Sequence, residues 1–223
     1  MCGRFTLRTP LTQLIEQFEV SSQLQVALRF NIAPTQSIVA VRAPADGTGR
    51  ELVLLKWGLI PSWADDPAIG NRMINARADG VATKPSFRSA FKKRRCLILA
   101  DGYYEWQKVG AKKQPYLIHR QDDGPFAFAG LWERWRGGAD GEAIESCTII
   151  TTDANPVTRP IHDRMPVILE PEDYDRWLSP DVQDREELES LLVPSLTQDL
   201  VADRVSTYVN NPRHEDEACV QPI

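Results

Sequence analysis

Apolar positions follow a helical period in three segments of the chain. In the first segment they recur at i, i+3, i+4 and i+7, at Leu11, Leu14, Ile15 and Phe18. Thr9 is a residue type that caps helices and Pro10 suits a first turn, so a helix is predicted to begin there. A second helix is predicted after Pro171, with one side formed by Tyr174, Trp177 and Leu178. A third is predicted over residues 184–193.

Other apolar runs are short and typical of β-strands. They are residues 37–41, 51–57, 96–100, 115–120, 126–132, 147–152 and 166–169. Short turns rather than helices join most of them, and residues 44–49 (PADGTG) form one predicted turn. This pattern favours an α+β fold in one domain over residues 1–223. We expect a largely antiparallel, barrel-like sheet with flanking helices.

The composition supports a globular core without a membrane span. Hydrophobic residues make up 42% of the chain and the net charge is −5. No run of roughly eighteen apolar residues is present, so no transmembrane helix is expected. The N-terminal sequence MCGRFTLRTP lacks the apolar stretch of a secretory signal. We therefore expect a cytoplasmic protein.

The charges are unevenly distributed along the chain. Residues 1–120 contain 18 Lys and Arg against 9 Asp and Glu, whereas residues 121–223 contain 8 against 22. A basic half can attract a polyanion, because electrostatic fields act locally and are screened within about 10 Å. If the two halves intermix in space, however, their charges cancel. Charge alone leaves both interpretations open.

The four cysteines are scattered and show no metal-binding pattern. No two are spaced as a CxxC pair, and the three histidines add no zinc-ligand spacing. We therefore expect neither a metal nor another cofactor. Cys96 and Cys147 lie in apolar runs and are predicted to be buried core thiols, whereas Cys2 lies at the extreme end of the chain.

Cys2 is the first candidate for chemistry. Removal of Met1 is expected because Cys is a small second residue, and it would leave Cys2 with a free α-amine beside its thiol. Their ordinary pKa values are about 8 and 8.5, so each group has a reactive fraction at neutral pH. The amine can condense with an aldehyde to an imine, and the thiol can then close a five-membered thiazolidine. An ordinary terminal cysteine without a role is the alternative.

Glu105 and His162 are candidate acid–base groups. Glu105 lies in ADGYYEW, where aromatic neighbours can desolvate it and raise its pKa. His162 lies between two prolines in PIHDRMP and can carry a proton near neutral pH. Asp163 and Arg164 beside it can pair and shape the turn. Each candidate has a plain alternative, a surface Glu at a strand end and a solvated loop His.

A further set of residues suits contacts with DNA. Asn75 and Arg77 in NAR, and Asn31 in RFNIAP, can bind phosphate and carbonyl oxygens, although they can equally cap loops. Trp63 lies in a Pro/Gly loop and can stack on bases, whereas Trp57 is predicted to pack in the core. The basic run at residues 92–95 (KKRR) and Lys112–Lys113 can contact phosphates or form a solvated face.

Eight motifs occur in an order that resembles the SRAP family, the SOS-response-associated peptidase-like or abasic-site processing proteins. The motifs are MCGRF, RFNIAP, WG…P.W, NARAD, RRCLILADGYYEW, KKQPY, FAGLW and IHDRMPVIL. The match runs from residue 2 to about 170 and resumes in the closing segment VNNPRHEDEACVQPI. Trp63 is followed by Ala64 where some relatives have a second aromatic residue, which implies a smaller stacking platform.

The resemblance implies a sensor of abasic sites in single-stranded DNA. In that family the mature N-terminal Cys traps the ring-opened aldehyde, and this role falls to Cys2. The resemblance assigns the acid–base role to Glu105, sugar protonation and reversal to His162, and orientation of Cys2 to Asn75. It implies a DNA channel lined by Arg4, Asn31, Trp63 and Arg77. We expect a monomer without metal, associated with damaged DNA in the nucleoid.

Two other functions remain open. A thiol peptidase would use Cys2, Glu105 and His162 to remove Met1, and this activity can coexist with DNA crosslinking. A weak lyase activity is also plausible, because an imine at an abasic site can lead to β-elimination. A non-covalent single-strand binder would leave Cys2 without a role, and Cys2→Ala would then leave every DNA-linked function unchanged.

Overall fold

The computed structural model describes residues 2–45, 47, 49–137, 142–195 and 199–223. These residues form thirteen β-strands, which we number in chain order. The strands are β1 (Phe5–Leu7), β2 (Arg29–Ile32), β3 (Ser37–Arg42), β4 (Glu51–Trp57), β5 (Asn75–Arg77), β6 (Arg95–Ala100), β7 (Gly102–Val109), β8 (Lys112–Arg120), β9 (Phe126–Arg136), β10 (Ala143–Asp153), β11 (Arg164–Pro166), β12 (Ile168–Leu169) and β13 (Leu200–Arg204).

The helices of the described residues are few and short. The α-helices are α1 (Leu11–Phe18), α2 (Arg88–Lys93), α3 (Tyr174–Leu178) and α4 (Arg185–Ser190). Single 3₁₀ segments occur at Pro67–Arg72, Ala78–Gly80, Pro171–Asp173, Thr207–Asn210 and Glu217–Cys219. The predicted α+β fold class is therefore confirmed.

The first sheet has five strands in the order β13-β8-β7-β1-β2. Each neighbouring pair in it is antiparallel. The N-terminal strand β1 thus lies in the interior of this sheet, between β7 and β2. This placement brings the start of the chain, which carries Cys2, alongside β7, which carries Glu105.

The second sheet closes on itself. Its order is β11-β10-β4-β3-β6-β9-β12, and β10 also pairs with β9. Strands β10, β4, β3, β6 and β9 therefore form a closed ring, which agrees with the predicted barrel-like core. Strand β10 pairs in parallel with β4 and with the short β5, and the remaining pairs are antiparallel. Strand β5 is thereby fixed at the end of the barrel that faces the N-terminus.

The two sheets share one hydrophobic core. Phe5 of the first sheet packs edge-on against Trp57 and Phe128 of the second, with ring centroids 5.2 and 5.9 Å apart. All three side chains are fully buried, and burying a residue such as Phe stabilises the fold by about 1.5–3 kcal/mol. The predicted core positions of Trp57, Cys96 and Cys147 are confirmed.

Most predicted elements are present, with local corrections. The apolar runs coincide with β3, β4, β6, β8, β9 and β10. The run at residues 166–169 is split at Val167, because β11 pairs with β10 whereas β12 pairs with β9. The predicted turn at 44–49 joins β3 to β4, although Asp46 and Thr48 lie outside the described residues. The third helix ends at Ser190, three residues before the predicted end.

The predicted cap of the first helix is wrong. Helix α1 has Pro10 at its N-cap, and no side chain caps it. The backbone N–H and the hydroxyl of Thr9 both donate instead to Oδ2 of Asp101, at 2.8 and 3.0 Å. Asp101 lies between β6 and β7, so Thr9 ties the N-terminal segment to the core rather than to its own helix.

Candidate active site and DNA-binding surface

The register of β1 sets the position of Cys2. Phe5 lies opposite Tyr103, and the N–H of Tyr104 donates to the carbonyl of Arg4 at 2.9 Å. Because the two chain segments run antiparallel, continuing this register places Gly3 opposite Glu105, and Cys2 lies one residue further along. The sequence prediction that these two residues act together is therefore compatible with the strand pairing.

Cys2 is fully buried. Its carbonyl accepts a hydrogen bond of 2.7 Å from Nδ2 of Asn75, and its Sγ lies 3.8 Å from the carbonyl of Arg4. Burial, and after it the negative charge of Glu105, raises the pKa of the thiol well above its ordinary range. The Cys2 side chain is therefore a neutral thiol rather than a thiolate.

Asn75 reaches Cys2 from β5. Strand β5 pairs in parallel with β10, with Asn75 opposite Ile149, and this pairing fixes the amide next to the N-terminal segment. While Nδ2 of Asn75 holds Cys2, its Oδ1 is buried and has no hydrogen-bond partner within the described parts of the chain. A buried amide oxygen without a partner is costly, so it marks a place where a ligand donor can bind.

Glu105 lies inside β7 rather than at a strand end. It is only 3% exposed, and its neighbours Tyr103 and Tyr104 are fully buried. Burial raises the pKa of the Glu105 carboxyl, and the charge of His162 opposes this rise. The interpretation of Glu105 as a surface residue is therefore wrong, and the predicted desolvation is confirmed.

His162 lies on a tight turn between β10 and β11. The backbone N–H of His162 donates to the carbonyl of Thr158 at 2.9 Å. Its Nδ1 lies 3.0 Å from the backbone N of Arg164 and 2.9 Å from Oδ1 of Asp163. We assign Nδ1 as the acceptor from the fixed Arg164 amide, since the Asp163 side chain is 89% exposed. The neutral ring then carries its proton on Nε2.

Arg164 does not form the predicted pair with its neighbour Asp163. Its Nη1 donates to Asp153 at 2.9 Å and its Nη2 to the carbonyl of Thr151 at 2.6 Å. Both partners belong to β10. The turn is therefore shaped by contacts with the strand that precedes it.

A cavity of about 420 Å³ opens beside Glu105 and His162. It is lined by Arg4, Glu105, Trp106, Lys113, His162 and Asn210. Two cationic side chains thus face the same space as the carboxyl and the imidazole, which suits a ligand with a phosphate beside a polar reacting centre. Asn210, whose Oδ1 accepts from Nε1 of Trp106 at 2.7 Å, is a lining residue that the sequence prediction missed. Its place in the closing NNP segment is the only sequence signal for it.

Asn31 lies behind this cavity rather than on its surface. It is fully buried, and its Oδ1 accepts from Nη1 of Arg4 at 2.7 Å. Its Nδ2 donates to the carbonyls of Val209, Asn211 and His214. Asn31 therefore holds Arg4 and the C-terminal segment together. A direct contact of Asn31 with DNA stays a prediction.

Arg77 and Trp63 lie on the surface. The Arg77 side chain is 55% exposed and forms two hydrogen bonds with Asp79, at 2.9 and 2.8 Å. Trp63 is 59% exposed, as predicted. The loop that carries Trp63 is firmly anchored, because Nε1 of Trp135 donates to the carbonyl of Ala64 at 2.7 Å. The exposed ring of Trp63 is therefore free to stack on a base.

The basic run at residues 92–95 is not a uniform solvated face. Arg95 is 2% exposed, and its guanidinium donates to backbone carbonyls at the ends of α2 and α3 and in the loop that follows α3. Arg94 pairs with Glu133 at 2.7 Å. Lys92 and Lys93 remain exposed, so only this half of the run is free to meet a phosphate.

The residues that the structure describes contain no group of three or more His, Cys, Asp or Glu side chains arranged to hold a metal ion. None of their helices is long and apolar enough to cross a membrane.

The fold and the site around Cys2 assign the chain to one protein family. The chain belongs to the SOS response associated peptidase (SRAP) family, whose model matches residues 1–212. The resemblance deduced from the eight motifs is thus confirmed. The chain is 43% identical over 225 residues to "Abasic site processing protein YoqW" of Bacillus subtilis (strain 168), with 99% of each chain covered.

More distant relatives carry the same description. The chain is 30% identical to "Abasic site processing protein YedK" of Escherichia coli (strain K12), over the full length of both. It is 34% identical to "Abasic site processing protein HMCES" of Gallus gallus, covering 82% of this chain and 61% of the relative. A crystal structure of a Bacteroides thetaiotaomicron protein superposes over all of both chains, with a TM-score of 0.88 and 29% identity.

Proposed function

We propose that the chain processes abasic sites in DNA by binding single-stranded DNA and bonding covalently to the site through the mature N-terminal Cys2. The observation that carries the proposal is the convergence at one end of the barrel. Asn75 holds the carbonyl of Cys2 at 2.7 Å, the pairing of β1 with β7 brings Cys2 close to Glu105, and Glu105 and His162 line one cavity. Membership of a family with abasic site processing relatives supports the same conclusion.

The proposed reaction begins with removal of Met1, which frees the α-amine of Cys2. The amine attacks C1′ of the ring-opened sugar, and loss of one water gives an imine. The Cys2 sulfur then attacks the imine carbon, and the thiol proton passes to the nitrogen. The product is a thiazolidine, and one water is released in total. The adduct is a stable one-to-one complex that shields the site from strand cleavage.

Glu105 has the environment of the proton carrier for these steps. Because burial raises the pKa of the Glu105 carboxyl, its carboxylate is a stronger base in this site than in water. Glu105 can accept a proton from the amine and return it to the leaving hydroxyl. A carboxyl whose pKa is raised towards neutrality exchanges protons in both directions.

Asn75 and His162 are suited to the sugar. The buried Oδ1 of Asn75 can accept a hydrogen bond from the Cys2 amine or from a sugar hydroxyl. The imidazolium form of His162 can protonate a sugar oxygen that faces the cavity, and the neutral ring, with its proton on Nε2, can donate a hydrogen bond to that oxygen. We propose that the same proton transfer assists reversal of the crosslink.

The proposed path of the DNA uses the cations and the exposed aromatic ring. Arg4 and Lys113 line the cavity and can hold the phosphates next to the abasic sugar. Arg77 and Trp63 are exposed and can contact the flanking strand. Phosphate contacts release counterions, so affinity should fall with rising salt. We propose that a monomer acts in this way on DNA of the nucleoid.

A peptidase activity is the second candidate. The family description names a peptidase, and the Cys2 thiol adjoins the Met1–Cys2 bond with Glu105 close enough to act on its pKa. Attack of the thiol on the Met1 carbonyl, followed by hydrolysis, would free the amine of Cys2. A weak lyase activity can also arise, because β-elimination from the imine competes with thiazolidine closure.

The proposal is tested by measuring the intact mass of untagged protein after it is mixed with single-stranded DNA that carries one abasic site. A one-to-one adduct is expected, and it should be absent with undamaged DNA and with Cys2→Ala. Cys219→Ala is the matched control, since Cys219 is equally buried but its Sγ contacts the carbonyl of His214 instead. An adduct that persists in Cys2→Ala would overturn the thiazolidine. Turnover of peptides without any DNA adduct would favour the peptidase.

A further inference from the structure

Strand β7 presents three side chains on one face. Residues two apart along a strand point to the same side of a sheet, so Tyr103, Glu105 and Gln107 share a face. Glu105, the middle member, lines the cavity with His162. Tyr103 and Gln107 flank it, and both bond to the turn that carries His162.

Tyr103 holds this turn from inside the core. Its hydroxyl lies 2.8 Å from Oγ1 of Thr158, and both residues are fully buried. The carbonyl of Thr158 accepts the N–H groups of Ile161 and His162, at 2.8 and 2.9 Å. The carbonyl of Thr158 therefore fixes the backbone of His162, and Tyr103 fixes the side chain of Thr158.

Gln107 holds the same turn from the rim. Its Nε2 donates to the carbonyl of Pro160 at 2.9 Å, two residues before His162. The hydroxyl of Tyr116 on β8 donates to Oε1 of Gln107 at 3.2 Å, so the amide has a defined orientation. The turn is thus bonded to β7 on both sides of Glu105.

We propose that Tyr103 and Gln107 are positioning residues that set His162 against Glu105. We call the two hydrogen bonds, Tyr103–Thr158 and Gln107–Pro160, the β7 clamp. Strand β7, which carries the Glu105 carboxyl, is also hydrogen-bonded to the turn that carries the His162 imidazole. The distance between the two groups therefore stays the same when DNA binds. This inference rests on the proposed function, because it concerns the relative placement of the two proposed proton carriers, Glu105 and His162, in the capture reaction.

The clamp is tested by measuring the single-turnover rate of adduct formation across a range of pH in three variants, Tyr103→Phe, Thr158→Val and Gln107→Met. Tyr103→Phe keeps the ring that packs on Phe128, so folding should persist. Each variant should slow the reaction about fivefold and change its pH profile, since a net hydrogen bond of about 1 kcal/mol is being removed. Tyr103→Phe and Thr158→Val should not add to each other, because they break the same bond.

Matched controls separate positioning from general loosening. Gln114 lies opposite Gln107 on β8, but its Nε2 donates to the carbonyls of Pro115 and Val205, so Gln114→Met should keep the wild-type rate and profile. In a His162→Ala background the clamp variants should slow the reaction less than about twofold. The inference is overturned if they slow that background fivefold, or if they leave the wild-type rate and pH profile unchanged.

The ring of His162 gives a readout that needs no DNA. In the free protein, Tyr103→Phe and Gln107→Met should change the NMR shifts of the His162 ring, while the other two histidines, His119 and His214, serve as internal references. Unchanged His162 signals would overturn the clamp. If wild-type protein forms no adduct, the proposed function fails, and these signals still decide whether the clamp exists.

Discussion

Asp101 is the strongest candidate for a residue that holds the N-terminal segment in place. Its carboxylate is 1% exposed and accepts five hydrogen bonds. Oδ1 accepts from Oγ1 of Thr6 at 2.7 Å and from Nε of Arg8 at 3.1 Å. Oδ2 accepts from the backbone N–H of Arg8 and from both donors of Thr9. All five donors belong to the segment that follows Cys2.

We predict that Asp101→Asn lowers the free energy of unfolding by about 3–5 kcal/mol, the usual cost of breaking a buried charged group from its partners. Asparagine keeps the shape but turns one acceptor oxygen into an NH₂ that faces donors. Each buried donor left without an acceptor costs about 1–3 kcal/mol, and the Arg8 charge loses its closest counterion. For a chain of this length the melting temperature should fall by roughly 10 °C.

Urea unfolding followed by tryptophan fluorescence measures this change. Asp175→Asn is the matched control, because Asp175 also pairs with an arginine, Arg50 at 2.7 Å, but its side chain is 85% exposed. That surface pair should contribute less than about 1 kcal/mol. A loss below about 1 kcal/mol in Asp101→Asn would refute the reasoning, since the five hydrogen bonds would then have no net value.

Three further substitutions test other parts of the argument. Glu105→Gln should slow adduct formation about 100-fold or more. It should also stabilise the fold at neutral pH, because burial raises the pKa of Glu105 and the charged form is therefore disfavoured in the folded state; the gain in urea unfolding should shrink as pH falls through the raised pKa. Trp63→Ala should weaken single-strand binding by about 1–3 kcal/mol in fluorescence anisotropy without lowering the melting temperature, since the ring is 59% exposed. Gly70→Ala should cost about 1–3 kcal/mol in urea unfolding, because its Cβ would lie 2.6 Å from the carbonyl oxygen of Gly58, whereas Gly80→Ala meets only the flexible Lys84 side chain.

The sequence predicts those elements whose local pattern of apolar side chains is enough to determine their structure. Long apolar runs such as those of β4, β6 and β9 are buried on both faces or lie in the barrel, so local pattern and final structure agree. The strands β7 and β13 escape prediction. So do the short strands β1, β2 and β5, because three or four residues carry no period. They form strands only because longer neighbours offer hydrogen-bond partners.

The candidate site was predictable as chemistry but not as geometry. Residue type singles out Cys2, Glu105 and His162, since each has a reactive group in an unusual local sequence. Which residues support them depends on contacts far apart in the chain, such as Asn31 with the C-terminal segment or Tyr103 with Thr158. No local pattern distinguishes a buried Asn that holds an arginine from an exposed Asn that contacts DNA.

The burial of Cys2 and Glu105 explains how a reactive terminus can be stored. A thiol with a raised pKa is a poor nucleophile towards small electrophiles in solution, because little of it is thiolate at neutral pH. Within the proposed mechanism, the amine acts first and the thiol closes onto an imine already formed beside it, where effective concentration replaces thiolate reactivity. In that mechanism, an aldehyde held next to Glu105 by its flanking phosphates meets the amine first and the thiol second. The same burial that makes Cys2 inert at rest therefore contributes to the selectivity of the proposed capture.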